Sequence, residues 1–355
     1  MSILPTIDEA KIEAFVHQVA TDIGATVSAA LVAVGDRLGL YRAMADGQPV
    51  TAAELAARTA TQERYIREWL NNQAAGGYVT YDSDQDAYTL PPEHAFVLAD
   101  DTSPLALAGM FLSATAVSEG RHRIAERFVD GGGVGWHEHS HDLFHGVERA
   151  FAANYRASLV AEWLPALDGV VEKLERGGRV ADIGCGHGAS TILMAQAYPD
   201  ATFVGYDYHA ESIAVARERA REAGVADRVR FEIATADGYG GERYDLIAFF
   251  DALHDMGEPV SAARHARAAL AEGGTCMLVE PYANDRIEDN LNPVGRLYYG
   301  YSALLCTPGA LNQGDTALGT QAGEAKLREV LQAGGFGAVR RAAETPFNLV
   351  LEAKG

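Results

Sequence analysis

Three alternating glycines beside acidic residues mark the segment from Val180 to Gly188, which reads V-A-D-I-G-C-G-H-G, as a candidate binding loop. The glycine spacing is G-x-G-x-G, whereas the loop that brings backbone against a pyrophosphate reads G-x-G-x-x-G. Asp182 precedes the first glycine, where its charge would repel a diphosphate but attract a cation. Asp207 follows the next apolar run. These features favour a cofactor with a ribose, a positive group and no phosphate, and S-adenosylmethionine is that cofactor.

The periodicity around this loop predicts the elements that position it. An apolar strand, Arg179–Ile183, runs into the glycines, and a helical run, Ala189–Ala197, follows them. A second strand, Thr202–Tyr206, then ends in the acid. Strand, glycine turn, helix, strand and acid form the layout of a nucleotide-type site on a doubly wound α/β sheet.

The alternation continues beyond this unit. Strands are predicted near 179–184, 202–207, 228–233, 244–250 and 274–280, with helices near 189–198, 209–223 and 258–271. This rhythm is typical of a parallel sheet. A helix at Glu324–Gly334 precedes two strands, Ala338–Glu344 and Phe347–Ala353, and their short connection predicts antiparallel pairing.

Composition narrows the class of protein. The chain has 355 residues, for which two domains are the natural expectation, with 48% apolar and 22% charged residues. A net charge of −20 argues against binding to a nucleic acid. Three dispersed cysteines predict neither a disulfide framework nor a C-x-x-C metal pair. Met1–Ala10 does not resemble a secretory signal, and the apolar runs fall short of a membrane span, so we predict a cytoplasmic protein without a membrane partner.

The first hundred residues predict a winged helix. A helical opening at Ile7–Met44 precedes a capping box at Thr51 and Glu54, a helix at Gln62–Gln73 and an acidic hairpin near 78–90. DNA binding is one interpretation of this motif, but residues 1–110 hold six Lys or Arg against fifteen Asp or Glu, a net of −9. Dimerisation is therefore favoured.

The segment Ser103–Leu167 is predicted to be a helical connector that contains four clustered histidines, at 137, 139, 141 and 145. A metal site is conceivable there, but the spacing matches no closed zinc motif, and we favour a polar loop that lines a pocket and predict no metal. Residues 284–320 form a long connection. Its Arg296–Leu305 stretch predicts a helix over the acceptor, meaning the molecule that would receive the methyl group of this cofactor. The tyrosines of this stretch could equally be core or dimer contacts. With walls from Phe111, Trp136 and Phe144, such a pocket would favour a hydrophobic acceptor.

Residues 178–355 resemble a class I S-adenosylmethionine-dependent methyltransferase, which has a Rossmann-like seven-stranded sheet with a reversed last strand. The glycine loop, the acid after strand two, the Ala-Asp pair after strand three and the final helix and hairpin carry the resemblance. With the winged helix, the whole chain is similar to dimeric two-domain methyltransferases of small molecules, many of them O-methyltransferases. This implies a winged-helix dimerisation domain at 1–100, a helical connector at 101–170 that lines the pocket, and a cofactor-binding domain at 171–355.

The resemblance also implies residue roles. The loop beneath the methionine part of the cofactor corresponds to Asp182, Gly184, Gly186 and Gly188. Asp207, followed by Tyr208, should accept hydrogen bonds from the ribose hydroxyls, and Asp237, followed by Gly238, should reach the adenine amino group, although a turn residue is the other interpretation of Asp237. Phe250 and Asp251 should line the cofactor.

The segment Ala252-Leu-His254-Asp255-Met256 resembles the Leu/Cys-His-Asp-Trp segment of plant-type O-methyltransferases, with Met256 in place of Trp. There, the His is the general base for a hydroxyl, a role that suits a pKa near operating pH. Glu280 should orient His254, with Asp255 beside it. Alternatively, His254 caps a helix or lines the cofactor. His209 and His265, in predicted helices, are interpreted as surface residues.

We therefore expect an S-adenosylmethionine-dependent enzyme that methylates a small hydrophobic or aromatic acceptor, with O-methylation preferred. N-, C- or carboxylate methylation remains an alternative. So do a winged-helix regulator that senses the cofactor and an enzyme that uses the cofactor without methyl transfer.

Overall fold

The computed structural model of the chain describes residues 7–241 and 243–355. Within them, the chain forms two compact units. The first unit comprises residues 7–115 together with Asp142–Ala153, and the second comprises Ala116–His141 and Asn154–Gly355. The segment Met1–Ala10, where we predicted no secretory signal, lies mostly outside the described residues.

The first unit is a winged helix preceded by a long helix. Its elements are α1 (Glu9–Arg37), α2 (Leu40–Ala43), α3 (Ala52–Thr59), α4 (Glu63–Ala75), β1 (Thr80–Asp82), β2 (Ala87–Thr89) and α5 (Pro92–Leu98). The predicted capping box begins α3, because the Thr51 hydroxyl accepts from the backbone N–H of Glu54 and the Glu54 carboxylate accepts from that of Thr51. Strands β1 and β2 pair antiparallel and form the wing. The prediction of a winged helix is confirmed.

The core of this unit forms around Trp69 on α4. Its ring lies edge-on to Tyr41, with 5.0 Å between ring centroids, and its indole N–H donates to the Leu31 carbonyl at 2.9 Å. Gly35 of α1 meets the same ring so closely that a Cβ there would lie 2.5 Å from it. Burial of these large apolar surfaces holds α1, α2 and α4 together.

The outer face of α1 is apolar and exposed. Exposed apolar residues recur at spacings of three and four, with Phe15 at 63%, Val16 at 59% and Ile23 at 60% exposure. By length and composition, α1 is also long and apolar enough to cross a bilayer. This corrects our interpretation that the apolar runs fall short of a span, although one such helix near an N-terminus is weak evidence for a membrane segment.

The chain between the winged helix and the first strand of the sheet is mainly helical. They are α6 (Ala108–Glu119), α7 (Arg121–Asp130), a short 3-10 turn at Trp136–Glu138, α8 (His141–Ser158), a π-helical turn at Leu159–Trp163 and α9 (Val170–Glu175). The predicted helical character of this stretch agrees with these elements, and α7 ends before Gly131, which has φ +76°.

The second unit is built on a seven-stranded sheet. Its strands are β3 (Arg179–Ile183), β4 (Thr202–Asp207), β5 (Val229–Ile233), β6 (Tyr244–Phe250), β7 (Leu270–Pro281), β8 (Ala338–Glu344) and β9 (Asn348–Lys354). Their order across the sheet is β5-β4-β3-β6-β7-β9-β8. The first five are parallel, and β9 pairs antiparallel with both β7 and β8. The predicted α/β class and the reversed last strand are confirmed.

The helices of this unit pack on the sheet or follow its carboxyl edge. They are α10 (Ala189–Ala197), α11 (Ala210–Glu222), α12 (Pro259–Ala269), α13 (Pro293–Tyr301), α14 (Thr307–Leu311) and α15 (Gly323–Ala333). A π-helical turn, Ser302–Cys306, joins α13 to α14, so the helix predicted at 296–305 extends over 293–311. Strands β6 and β7 are almost wholly buried, as expected for central parallel strands covered on both faces.

Candidate active site

The glycine loop leaves β3 through three residues in the left-handed region, with φ +76° at Gly184, +51° at Gly186 and +80° at Gly188. Two of these glycines also avoid collisions. A Cβ on Gly184 would lie 2.7 Å from the Ala252 side chain, and one on Gly188 would lie 2.5 Å from the Phe231 ring. At Gly186 a Cβ would meet nothing within 4 Å. The crest of the loop thus leaves space for a ligand.

The Asp182 carboxylate lies beneath this loop and is fully buried. One of its oxygens accepts hydrogen bonds from the Ser190 and Thr191 hydroxyls, both at 2.6 Å, which fixes the start of α10 against β3. Burial raises the pKa of Asp182 to about 6. Its second oxygen, Oδ1, has no hydrogen-bond partner among the described residues and is available to a ligand or a water.

Asp207 ends β4 next to the loop. One carboxylate oxygen accepts from the Gly186 N–H at 2.9 Å and the other from the His209 N–H at 2.8 Å. Each oxygen has a second acceptor position, so the carboxylate can receive two further donors. Burial raises the pKa of Asp207. Tyr208 is half-buried, with its ring centroid 6.5 Å from that of His209, and burial raises the pKa of its hydroxyl to about 12.

Asp237 and Gly238 lie exposed in the loop after β5. The Asp237 carboxylate accepts from the Thr235 hydroxyl at 2.9 Å and from the Ser261 hydroxyl at 3.3 Å. The next residue, Tyr239, anchors the loop because its buried ring stacks on Tyr206, with 4.8 Å between centroids.

Two histidines that we interpreted as surface residues are half-buried and hold site segments in place. The His265 ring hydrogen-bonds through Nε2 to the Tyr239 carbonyl, with the two atoms 2.9 Å apart. The His209 ring accepts from the Ser212 N–H and caps α11. The interpretation was wrong because helical periodicity does not reveal contacts between a helix and a neighbouring loop.

Asp251 follows β6 with φ +50°, a strained value for a residue with a Cβ. Its carboxyl group accepts from the Tyr155 hydroxyl at 2.9 Å and from the Asn348 amide at 2.7 Å. Burial, reinforced by the nearby Glu280 charge, raises the pKa of Asp251 to about 8. The Phe250 ring is buried 5.4 Å from the Tyr155 ring.

The His254 side chain is buried in a 3-10 turn, Leu253–Asp255, at the carboxyl edge of the sheet. Its Nδ1 donates to Glu280 Oε2 across 2.5 Å. The other Glu280 oxygen accepts from the backbone N–H groups of Leu253 at 3.0 Å and His254 at 3.3 Å. Burial alone would lower the pKa of His254, but the Glu280 and Asp255 carboxylates outweigh it and raise that pKa well above its usual range.

Asp255 flanks the other side of the imidazole. Its Oδ1 lies 3.2 Å from His254 Nε2, yet it has no aligned hydrogen bond from any described residue. The Cys306 thiol and the Trp136 indole hydrogen-bond to this carboxylate, while burial raises its pKa. The arrangement therefore fixes Nδ1 on Glu280 and leaves Nε2 as the ring atom that can exchange a proton.

The histidine-rich segment does not form a metal cluster among the residues described in the second unit. His137 and His141 are exposed there, and the His139 ring lies edge-on to Trp136, with 6.3 Å between centroids. Burial lowers the pKa of His139.

Phe111, which we predicted to form a wall of the pocket, lies in the first unit. Its ring packs edge-on against that of Tyr78, with 6.1 Å between ring centroids.

Comparison with known proteins identifies the domain around this site. Residues 174–335 match the protein-family model for a methyltransferase domain, and residues 26–100 match the model for an Rv2258c-like winged HTH domain. Residues 174–335 are therefore a methyltransferase domain.

A curated relative of this methyltransferase domain is the 27-O-demethylrifamycin SV methyltransferase of Amycolatopsis mediterranei. It is 36% identical over 107 residues, which cover 30% of this chain and 39% of the relative. The chain spans less than half of the length of the first curated relatives that it matches.

Solved structures share the fold over nearly the whole chain. Human N-acetylserotonin methyltransferase in complex with S-adenosylmethionine has a TM-score of 0.68 at 16% identity, covering 99% of this chain and 100% of that chain. An O-methyltransferase family protein from Burkholderia thailandensis has a TM-score of 0.67 at 18% identity, covering 98% of each chain.

The residues predicted from sequence fall in one region of the methyltransferase domain. They follow β3 (Gly184, Gly186, Gly188), β4 (Tyr208), β5 (Asp237, Gly238) and β6 (Asp251, His254, Asp255), or lie within β3, β4, β6 and β7 (Asp182, Asp207, Phe250, Glu280). Ligands of open α/β sheets bind at this edge. Sequence reasoning missed Tyr155, Asn348 and Cys306, whose contacts link distant parts of the chain.

Proposed function

We propose that the chain is an S-adenosylmethionine-dependent methyltransferase that acts on a small hydrophobic or aromatic acceptor, preferably at a hydroxyl oxygen. The observation that carries this proposal is the pairing of two features on one sheet edge. An open glycine loop lies beside the Asp207 carboxylate, and a histidine is fixed by Glu280 at the end of the neighbouring strand. The human neighbour crystallised with S-adenosylmethionine supports this choice of cofactor.

The residues present fit this cofactor. A ribose offers two hydroxyl donors, which match the remaining acceptor positions of Asp207. The methionine part fits against Gly184, Gly186 and Gly188, and the unpaired Asp182 Oδ1 provides a negative charge for its ammonium group or for a bridging water. Adenine would extend towards Asp237 and Gly238, with Tyr208, Phe250 and Asp251 lining the remainder. When bound, S-adenosylmethionine supplies a methyl group activated by a positive sulfur.

In this proposal, His254 is the general base. Glu280 keeps the ring oriented and keeps a proton on Nδ1, so that Nε2 accepts the proton of the acceptor hydroxyl as its oxygen becomes a nucleophile. Asp255 stabilises the resulting imidazolium from the other side. Because the two carboxylates raise the pKa of His254, the neutral ring becomes more abundant as pH rises, and the rate should rise with it. No metal ion is required for this step.

The acceptor side favours a neutral hydroxyl over an acid. Asp255 and Glu280 hold their carboxylates on either side of His254, and a carboxylate acceptor would be repelled by them. The Trp136 indole approaches Asp255 and lies near Gly309 of α14, which supplies an apolar wall. An aromatic acceptor fits such a wall.

Within this proposal the chain is a cytoplasmic homodimer, and features of the first unit support the dimer. The exposed apolar stripe of α1 is the kind of surface that a second copy would cover, and the acidic winged helix disfavours a nucleic-acid partner. Within this proposal, residues 1–100 dimerise, residues 101–170 line the pocket and residues 171–355 bind the cofactor.

The test is transfer of label from S-adenosylmethionine carrying a radioactive methyl group to a panel of phenols, amines and carboxylic acids. The proposal expects a labelled ether from at least one phenol. Cofactor binding without transfer to any member of the panel would contradict it. Labelled amines or esters alone would overturn the preference for oxygen in a hydroxyl group.

A further inference from the structure

We propose that His254, Asp255 and Cys306 form an inhibitory binding site for a divalent zinc-like cation. Their three ligand atoms lie within 4.8 Å of one another at the buried carboxyl edge of the sheet. A neutral imidazole, a carboxylate and a thiolate form a ligand set that zinc accepts, and together they balance its charge of two.

The geometry around this cluster favours a metal ion over a purely structural contact. Glu280 binds His254 Nδ1 at 2.5 Å, the carboxylate–histidine arrangement that orients Nε2 towards a metal. Asp255 Oδ1 is buried without a hydrogen-bond partner among the described residues, although it lies 3.2 Å from Nε2. An unsatisfied buried oxygen beside an oriented ring nitrogen is a ready pair of ligands.

Cys306 enters this cluster because the helix between α13 and α14 has a π-helical turn, Ser302–Cys306. Such turns are frequent at functional sites. Ligand atoms of tetrahedral zinc, at about 2.0–2.3 Å from the ion, lie roughly 3.3–3.8 Å apart, so small side-chain rotations complete the geometry. From sequence we predicted no metal, because the histidine-rich segment matched no zinc motif. Cys306 is distant from His254 along the chain, and no spacing motif links them.

Binding would proceed with a defined proton balance. The Cys306 S–H bond breaks, its proton leaves to solvent, and sulfur bonds to the cation as thiolate. His254 donates its Nε2 lone pair, any proton on that atom also leaving to solvent, and Asp255 contributes one oxygen. A water molecule completes the coordination. Resting on the function proposed above, the consequence is inhibition, because the cation takes the lone pair that would accept the proton of the acceptor.

Cobalt(II) added to the metal-free, full-length chain tests the site without cofactor or acceptor. We expect one equivalent to bind with a thiolate-to-cobalt charge-transfer absorption, which zinc then abolishes by displacement. Cys306→Ser should lose this absorption. The matched control Cys276→Ser, which changes a buried cysteine on β7, should keep it. Absence of the band, or a band that persists in Cys306→Ser, would overturn the proposal, since cobalt held by histidines alone gives no such absorption.

Two further measurements guard against a variant that misfolds. His254→Gln should retain its thermal unfolding transition and bind zinc at least about tenfold more weakly. In the labelled-methyl assay, zinc should suppress transfer to a hydroxyl acceptor, and a chelator should restore it. Zinc that binds through Cys306 yet leaves transfer unchanged would support the site and contradict the role of His254 as base. The two proposals therefore fail separately.

Discussion

Replacing Glu280 with Gln tests the proposed base through the group that orients it. The Glu280 side chain is buried, and its two oxygens accept from the Leu253 N–H, the His254 N–H and His254 Nδ1. The amide has the same shape and keeps one oxygen for the backbone donors. However, its NH₂ group now faces Nδ1 and donates to it. Nδ1 must therefore become the acceptor, and the ring proton moves to Nε2.

The magnitude follows from this change of tautomer. With a proton on Nε2, His254 cannot accept the proton of the acceptor hydroxyl, and the contribution of general base catalysis is lost. That contribution is about 10²–10⁴-fold in rate, or roughly 3–5 kcal/mol of transition-state stabilisation. The dissociation constant of S-adenosylmethionine should stay unchanged, because the residues assigned to it lie on other loops.

The assay is a single turnover with saturating labelled cofactor, combined with calorimetry for cofactor binding and thermal unfolding for stability. Glu352→Gln is the matched control. Glu352 is equally buried on β9 of the same sheet, but it pairs with Arg340 and Lys354 and accepts from the Asp168 N–H at 3.0 Å. This control should lose stability and keep its turnover rate. A folded Glu280→Gln enzyme with a turnover rate within about threefold of the unmodified chain would refute the reasoning.

Four further predictions concern the cofactor site, the sheet edge and the dimer. Asp207→Ala should weaken cofactor binding by about 10²-fold or more in calorimetry, because two charge-assisted hydrogen bonds of about 1.5–3 kcal/mol each are lost. An unchanged affinity would contradict the assignment of Asp207 to the ribose hydroxyls. Gly188→Ala, at φ +80° against an aromatic ring, should cost about 1–3 kcal/mol in urea unfolding, whereas Gly186→Ala, in open space, should cost less and weaken cofactor binding instead. The pKa of Asp251 is raised from 3.8 to about 8, so the native state holds an extra proton between these values, and the free energy of unfolding should fall as pH rises through them, by up to about 1.4 kcal/mol per unit. Asp251→Asn should flatten that slope in urea unfolding, and a slope that persists would contradict the shift. Phe15→Asp on the exposed α1 stripe should convert a dimer to a monomer in light scattering, and a dimer that survives would move the interface elsewhere.

Most of the fold could be predicted from local patterns in the sequence. Alternating strand and helix runs predicted five parallel strands because each crossover helix leaves a periodic signature in the sequence. The short connection between β8 and β9 predicted a reversed strand, since a parallel return needs a longer crossover. The capping box at Thr51 and Glu54 marked the start of α3 because its donors and acceptors lie within one turn.

The site was predictable only where its residues adjoin an element end. The glycine loop and His254 follow strands and Asp207 ends one, so their meeting at one edge follows from the sheet itself. Asn348 and Tyr155 reach Asp251 from opposite ends of the domain sequence, and no spacing links them to it. Cys306 depends on a π-helical turn that helical periodicity does not reveal.

Asp182 shows a second limit of pattern. From its place before Gly184 we expected an acid that faces a cation. Asp182 is buried, and one of its oxygens accepts from two hydroxyl groups at 2.6 Å, so the residue also holds the loop in place. Its other oxygen has no hydrogen-bond partner among the described residues. No sequence feature had indicated this structural role. Ser190 and Thr191, the source of those hydroxyls, read only as helix residues in the sequence.

A crystal structure of the chain with bound S-adenosylhomocysteine tests the central claim most directly. The account predicts both ribose hydroxyls within about 3 Å of the Asp207 carboxylate, a hydrogen-bond distance, and the sulfur on the side of the loop that faces His254. A ligand whose ribose avoids Asp207, or whose sulfur points away from His254, would contradict it.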